Sequence, residues 1–219
     1  MKRVALGLVA LCCAGCASTG LQSLPRVPMT GASAAVVRAQ FERSLPESFQ
    51  LVNTVVFQFH GFRFSSLGYV AVDARARSFA VVGMNPAGVK LFEICGTNEQ
   101  VTSRFMIAEF PHREELIAAI GQAIREIYLD LVPPPGAAAR TDRYAVVFSD
   151  AGTEYVFGGA AQNLVEKRHR RGWRCDRRIG FYSYQEKDGK QYPGLVVFQD
   201  RRYGYSLTVR IKEIRGQRR

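Results

Sequence analysis

Histidine, tryptophan and acidic side chains are scarce in this chain, and each scarcity narrows the possible functions. The 219 residues include three histidines, one tryptophan and 19 Asp or Glu against 30 Lys or Arg. His60, His112 and His169 are scattered, and beyond residue 16 no CxxC or HxxxH spacing occurs. Metal sites are built from clustered ligands, so no metal is expected. No Gly-x-Ser-x-Gly, paired-carboxylate or Cys/His arrangement stands out. Ser65 and Ser66 near His60 read as an incidental pairing on a strand. Gly-rich phosphate loops are absent. The expectation is a protein that is not an enzyme and takes no cofactor. There is also no apolar run of the roughly 20 residues that a membrane-spanning helix needs.

What is present begins at the start of the chain. Lys2 and Arg3 give a positive end, Val4 to Leu11 is an apolar run, and the small residues Ala14 and Gly15 precede Cys16. These are the parts of a secretory signal. Leu11-Cys12-Cys13-Ala14-Gly15-Cys16 resembles the lipobox of bacterial lipoproteins, with Cys13 where that motif usually has Leu. The resemblance implies that residues 1–15 are a leader and that Cys16 carries acyl chains tethering the protein to a membrane. Ala17, in place of Asp, resembles the signal for sorting to the periplasmic face of the outer membrane.

Losing Lys2 and Arg3 with such a leader lowers the formal charge from +11 to +9. For an exported lipoprotein the fitting partners are anionic head groups or another polyanionic envelope complex, not nucleic acid. Cys95 and Cys175 remain after the leader and Cys16. In an oxidising compartment they form one disulfide or stay as two buried thiols, and spacing alone does not choose.

Residues 16–33 are rich in Ser, Thr, Gly and Pro and read as a flexible lipidated tether. Residues 34–219 suit one domain. Ser33 reads as the cap of a helix over 34–45 with Val37, Phe41 and Leu45 on one stripe. From Phe49 the period switches to alternation, predicting successive antiparallel strands up to Phe110. In the last of these, Val101, Ser103, Phe105 and Ile107 share one face. Residues 113–131 then carry a helical stripe of Leu116, Ile117, Ile120, Ala123, Ile124, Ile127, Tyr128 and Leu131. Residues 136–142 read as a loop. Asp150-Ala151-Gly152 and Lys187-Asp188-Gly189-Lys190 predict hairpins. Residues 160–171 carry no clear period, and a short helix is expected there. Tyr205, Leu207, Val209 and Ile211 alternate with polar residues, which implies a sheet with one apolar face.

The fold class is therefore α+β and mainly β. Its one long amphipathic helix must cover the apolar face of the sheet. Behind a lipobox, this order of elements resembles the LolA/LolB superfamily of periplasmic lipoprotein carriers and receptors. The run from Phe79 to Phe92, with Gly83, Pro86 and Gly88, is similar to the family's strand–turn–strand. Arg202-Tyr203-Gly204-Tyr205-Ser206-Leu207-Thr208-Val209 resembles the last strand of uncharacterised outer-membrane lipoproteins of that fold. The resemblance implies an unclosed antiparallel half-barrel under a helix lid, with a cavity for a lipid or lipoprotein cargo. One departure is the segment Asp73-Ala74-Arg75-Ala76-Arg77. It is charged and has no large apolar residue, whereas the receptors of the family expose one there.

Two candidate sites follow. Cavity lining is expected from Phe57, Phe59, Val81, Phe105, Ile107, Ile120, Ile124, Tyr205 and Leu207. A basic face is expected from Lys167, Arg168, Arg170, Arg171, Arg174, Arg177 and Arg178, with Trp173 among them. That face reads either as a contact with anionic head groups or as a solvated strand edge. The lipid-binding reading stands beside a second one, an interaction module with a filled core that docks through the basic face.

Overall fold

The alternation of apolar residues builds most of the molecule. The structure, a computed structural model, describes residues 21–216 apart from Leu24, Thr30, His60, Gly61 and Pro111. Cys16 and the expected leader, residues 1–15, lie outside the described residues. Twelve strands form one antiparallel sheet: β1 (Ser48–Phe59), β2 (Phe62–Asp73), β3 (Ser78–Met84), β4 (Lys90–Gly96), β5 (Val101–Met106), β6 (Ala138–Asp142), β7 (Ala145–Asp150), β8 (Thr153–Gly158), β9 (Asn163–Arg171), β10 (Arg174–Lys187), β11 (Lys190–Asp200) and β12 (Tyr205–Gly216). The strand order is β5-β4-β3-β2-β1-β12-β11-β10-β9-β8-β7-β6. The first and last strands pair at the centre, and β5 and β6 are the two edges. The sheet is thus an unclosed half-barrel.

The chain passes from one edge to the other through the helix α2 (Arg113–Ile124) and the π-helical turn Arg125–Leu129. Its apolar stripe packs into the concave face. Ala123, Ile124, Ile127, Tyr128 and Leu131 are buried, and Leu116, Ile117 and Ile120 are partly buried. Glu114 and Glu115 occupy the first turn, where the helix dipole favours negative charge. The shorter helix α1 (Ala34–Ser44) covers the second half of the sheet through Val37 and Phe41, whose ring meets Phe157 edge-on at 5.1 Å. Ser33 is its N-cap residue by position but makes no side-chain capping bond. Side chains from β1–β4 and from β7–β12 meet around the two helices in one core.

Two glycines let elements approach closely. A Cβ on Gly121 would lie 2.5 Å from Val101 Cγ2, so α2 sits directly on β5 there. A Cβ on Gly83 would fall 2.3 Å from the Phe92 ring. The predicted Asp188-Gly189 hairpin forms with both residues at positive φ, and Ala151-Gly152 does the same.

Several expectations are corrected. Residues 138–142 are a strand, not part of a loop. All five residues of β6 are exposed, so no apolar alternation marks it, and backbone pairing with β7 creates it. Residues 163–171 are β9, not a short helix. The tether is held at its far end: Met29 is buried and its N–H donates to the Arg143 carbonyl, while the Gln22 N–H donates to the Tyr182 hydroxyl. Cys95 and Cys175 are both free. They lie on β4 and β10, with β3, β2, β1, β12 and β11 between those strands.

Candidate functional site

At the end of the sheet where β1 turns into β2 and β11 into β12, the helix and the sheet do not close on each other. A cavity of about 590 Å³ opens there. It is walled by Phe57, Phe64 and Tyr205 on the sheet, Leu116 and Ala119 on α2, and Phe110 before it. Phe57 packs on Tyr205 at 5.8 Å and on Phe64 at 5.3 Å, and Phe64 packs on Phe110 at 5.7 Å. The rim is polar, with His112, Glu115, Gln122, Arg201 and Arg202. Deeper in, a separate narrow apolar pocket of about 60 Å³ shares the walls Phe57, Phe64 and Leu116. Val81, Ile120, Ile124 and Leu207 line that pocket, and Asn53, Ser66 and Tyr128 bring polar groups to it. Burial pushes the Tyr128 phenol well up from its usual value, with a smaller opposing pull from Asn53. The hydroxyl therefore stays protonated.

The sequence-predicted lining divides accordingly. Phe57 and Tyr205 wall the larger cavity, and Phe57, Val81, Ile120, Ile124 and Leu207 line the narrow pocket. Phe105 and Ile107 line neither. A bulge in the β4–β5 pairing sets Phe92 opposite Met106, Glu93 opposite Phe105, and Ile94 opposite Ser103. The extra residue reverses the parity of β5. Met106 therefore turns inward and is buried, while Phe105 is left 41 % exposed under Lys90. The side chain of Phe59 lies outside the described residues.

The basic run is not a single face. The parity of β9 and β10 splits it between the two sides of the sheet. Lys167 points inward and is buried, and its Nζ donates to Glu126 on the π-helical turn and, at 2.8 Å, to the Asp130 carbonyl. His169 Nε2 lies 3.0 Å from the Glu126 carboxylate, and Arg177 Nη1 donates to it at 3.1 Å. Arg177 also donates to Asp200 at 2.9 Å. Burial pushes the Glu126 carboxyl upward. The hydrogen bond from His169 and the positive charge of Lys167 outweigh it and hold the group at about 2. On the outer side, Arg168 and Arg178 pair with Glu166, and Arg168 and Arg170 pair with Glu154. Of the seven predicted residues, Arg170, Arg171 and Arg174 are exposed, the last two at the β9–β10 turn.

Sequence reasoning missed Glu126, although a signal existed. A single carboxylate sits inside the buried stripe between Ile124 and Ile127. It also missed Phe64, Phe110 and the buried Asp200. Asp200 is 2 % exposed and accepts the N–H groups of Arg202 and Tyr203 at 2.9 and 3.0 Å. This fixes the β11–β12 tip at the cavity mouth. A second, more polar groove of about 730 Å³ lies along the far end of the helix, bordered by Glu126, Lys167, His169, Tyr155 and Tyr192. The segment Asp73–Arg77 also borders it through Ala74, Arg75 and Arg77, and Arg77 pairs with Asp130 at 2.5 Å.

No family model matches the chain, and no characterised protein matches it in sequence. Solved structures do match in shape. A LolA superfamily protein from Nitrosomonas europaea aligns with a TM-score of 0.54 at 8 % identity, covering 85 % of this chain and 94 % of that one. A Vibrio parahaemolyticus structure described as an outer membrane lipoprotein-sorting protein domain aligns with a TM-score of 0.51 at 11 % identity, covering 84 % and 90 %. At such identities the likeness concerns shape alone. With an unclosed twelve-stranded half-barrel wrapped around a single long helix, this chain has the LolA/LolB-type fold.

Proposed function

We propose that this protein is a non-enzymatic binding protein of the bacterial cell envelope. It holds an acyl chain, as a lipid or the lipid of a lipoprotein, between the half-barrel and α2. The observation that carries this reading is the apolar cavity of about 590 Å³ walled by Phe57, Phe64, Phe110, Leu116 and Tyr205. Its size falls within the roughly 300–1,000 Å³ of small-molecule sites. An acyl chain entering it gains about 0.8 kcal/mol per buried methylene. No bond needs to be made or broken. The helix lid is tied to the far half of the sheet by Glu126, so release follows its loosening.

The lipobox at Cys16 and the small residue at Ala17 support anchoring at the periplasmic face of the outer membrane. Incorporation of labelled palmitate that disappears in Cys16→Ser tests the anchor. The cavity is tested by titrating a fluorescent fatty acid into the chain from residue 17 onward, which keeps every described residue. Saturable uptake is expected, and Ala119→Trp, which fills the mouth, abolishes it. Equal uptake by both forms, or none by the parent, overturns the assignment. The narrow inner pocket of about 60 Å³ is what favours the second reading, a filled-core interaction module, and that reading predicts no uptake at all.

A further inference from the structure

Two hairpin tips beside the cavity mouth carry a pattern that cavity binding does not use. The β9–β10 turn presents Arg171, Trp173 and Arg174, and the β11–β12 turn presents Arg201, Arg202 and Tyr203. The Arg201 N–H donates to the Asp176 carbonyl at 2.8 Å, which fixes the two tips side by side. Together they border a cleft of about 860 Å³. Trp173 is 82 % exposed and Tyr203 is 50 % exposed. Each ring carries a guanidinium over its face, Arg174 at 4.8 Å and Arg202 at 5.1 Å. Asp176 is the one acidic side chain lining the cleft, against four arginines.

An indole left in water has not found its partner, and an amphipathic ring beside cations suits the head-group layer of a membrane. We propose that these tips dock the protein onto an anionic lipid bilayer. Trp173 and Tyr203 enter the head-group region and Arg171, Arg174, Arg201 and Arg202 meet lipid phosphates. A protein partner fits less well, because protein interfaces are built around a desolvated apolar centre. Here each exposed ring is paired with a cation. Arg201, Arg202 and Tyr203 also line the cavity of about 590 Å³. Docking therefore sets the mouth against the membrane, so that an acyl chain passes between bilayer and cavity with little exposure to water. That consequence rests on the acyl-chain reading, whereas the docking itself does not.

Trp173 is the only tryptophan of the chain, so its emission reports on this tip alone. The chain from residue 17 onward is mixed with phosphatidylcholine vesicles, with and without phosphatidylglycerol. The expected result is a blue shift and co-sedimentation with the phosphatidylglycerol vesicles only, both weakened by salt as the charges are screened. Arg201→Gln and Arg202→Gln lie on the other hairpin, so they leave the reporter in place and their folding is checked by circular dichroism. Each lowers partitioning by roughly fivefold, the equivalent of about 1 kcal/mol per arginine at a membrane surface. Three results overturn the proposal: unmoved emission at low salt, variants that bind like the parent, or a shift reproduced by soluble polyphosphate. Fatty-acid uptake measured on the same sample separates the two assignments. Uptake without docking sinks only the docking, and docking without uptake sinks only the cavity reading.

Discussion

Replacing Glu126 by Gln removes the negative charge on which Lys167, His169 and Arg177 converge. The side chain of Lys167 is 2 % exposed and that of Glu126 is 11 % exposed. Their attraction acts where water does not screen it. Breaking a buried ion pair by removing one partner costs about 3–5 kcal/mol. Arg177 keeps Asp200 and Lys167 keeps the Asp130 carbonyl, so the lower end, about 3 kcal/mol, is expected. In a domain of this size that lowers Tm by roughly 6–12 °C. Lys167→Met should cost less, because Glu126 then still has His169 and Arg177. The Glu126→Gln/Lys167→Met double variant should be less destabilised than the sum of the single ones. Urea unfolding of the four proteins yields the coupling energy. A Glu126→Gln cost under about 1 kcal/mol, or strict additivity, would refute the claim that this cluster ties the helix to the sheet.

The same carboxylate sets a pH dependence. Its folded value, about 2, lies below its ordinary 4.5. The folded state therefore binds the proton less tightly than the unfolded chain does. The stabilisation is fully present above about pH 4.5 and is lost as pH falls toward 2. The difference is worth about 3 kcal/mol. The wild-type protein should lose stability across that window, and Glu126→Gln should lose much less.

Three further outcomes follow from the geometry. Gly121→Ala gains up to about 1 kcal/mol of helix propensity, but its Cβ meets the stiff, branched Val101 at 2.5 Å. Overpacking of this kind costs about 1–3 kcal/mol, so a net loss of up to about 2 kcal/mol is expected in chemical denaturation, and a stabilised variant would contradict the close α2–β5 contact. Phe105→Ser should change stability by less than about 0.5 kcal/mol, whereas Phe57→Ala should cost about 3–5 kcal/mol; equal costs would undo the bulge-based assignment of faces. Because Cys95 and Cys175 are free, a reducing agent should leave Tm unchanged, and both thiols should titrate with a thiol reagent in denaturant without prior reduction.

Local signals were readable in the sequence wherever one face of an element decides its pattern. The alternation Tyr205, Leu207, Val209, Ile211 marks β12, and all four side chains are buried. The 113–131 stripe marks the helix, although not its π-helical last turn. Asp188-Gly189 marks a hairpin because only few residues accept positive φ at both positions. Features set by a partner elsewhere in the chain were not readable. The bulge opposite Glu93 and Ile94 reverses the face of Phe105 and depends on how two strands pair. β6 has no side-chain pattern of its own and exists because β7 offers it a free edge. The basic run looked like one surface because sequence shows charge density but not parity. Two of its seven cations, Lys167 and Arg177, turned inward to a carboxylate 41 residues before Lys167. The cavity wall was partly readable for the same reason: Phe57 and Leu207 follow the alternation, whereas Phe110 sits in a connection with no period.

The proposed function requires an acyl chain in the space under α2. Native mass spectrometry of the chain from residue 17 onward, purified without denaturant, tests it most directly. A bound acyl-containing species is expected on the parent protein and is expected to be missing from Ala119→Trp. A parent protein that emerges without any such species, and that also excludes a fluorescent fatty acid, would contradict it.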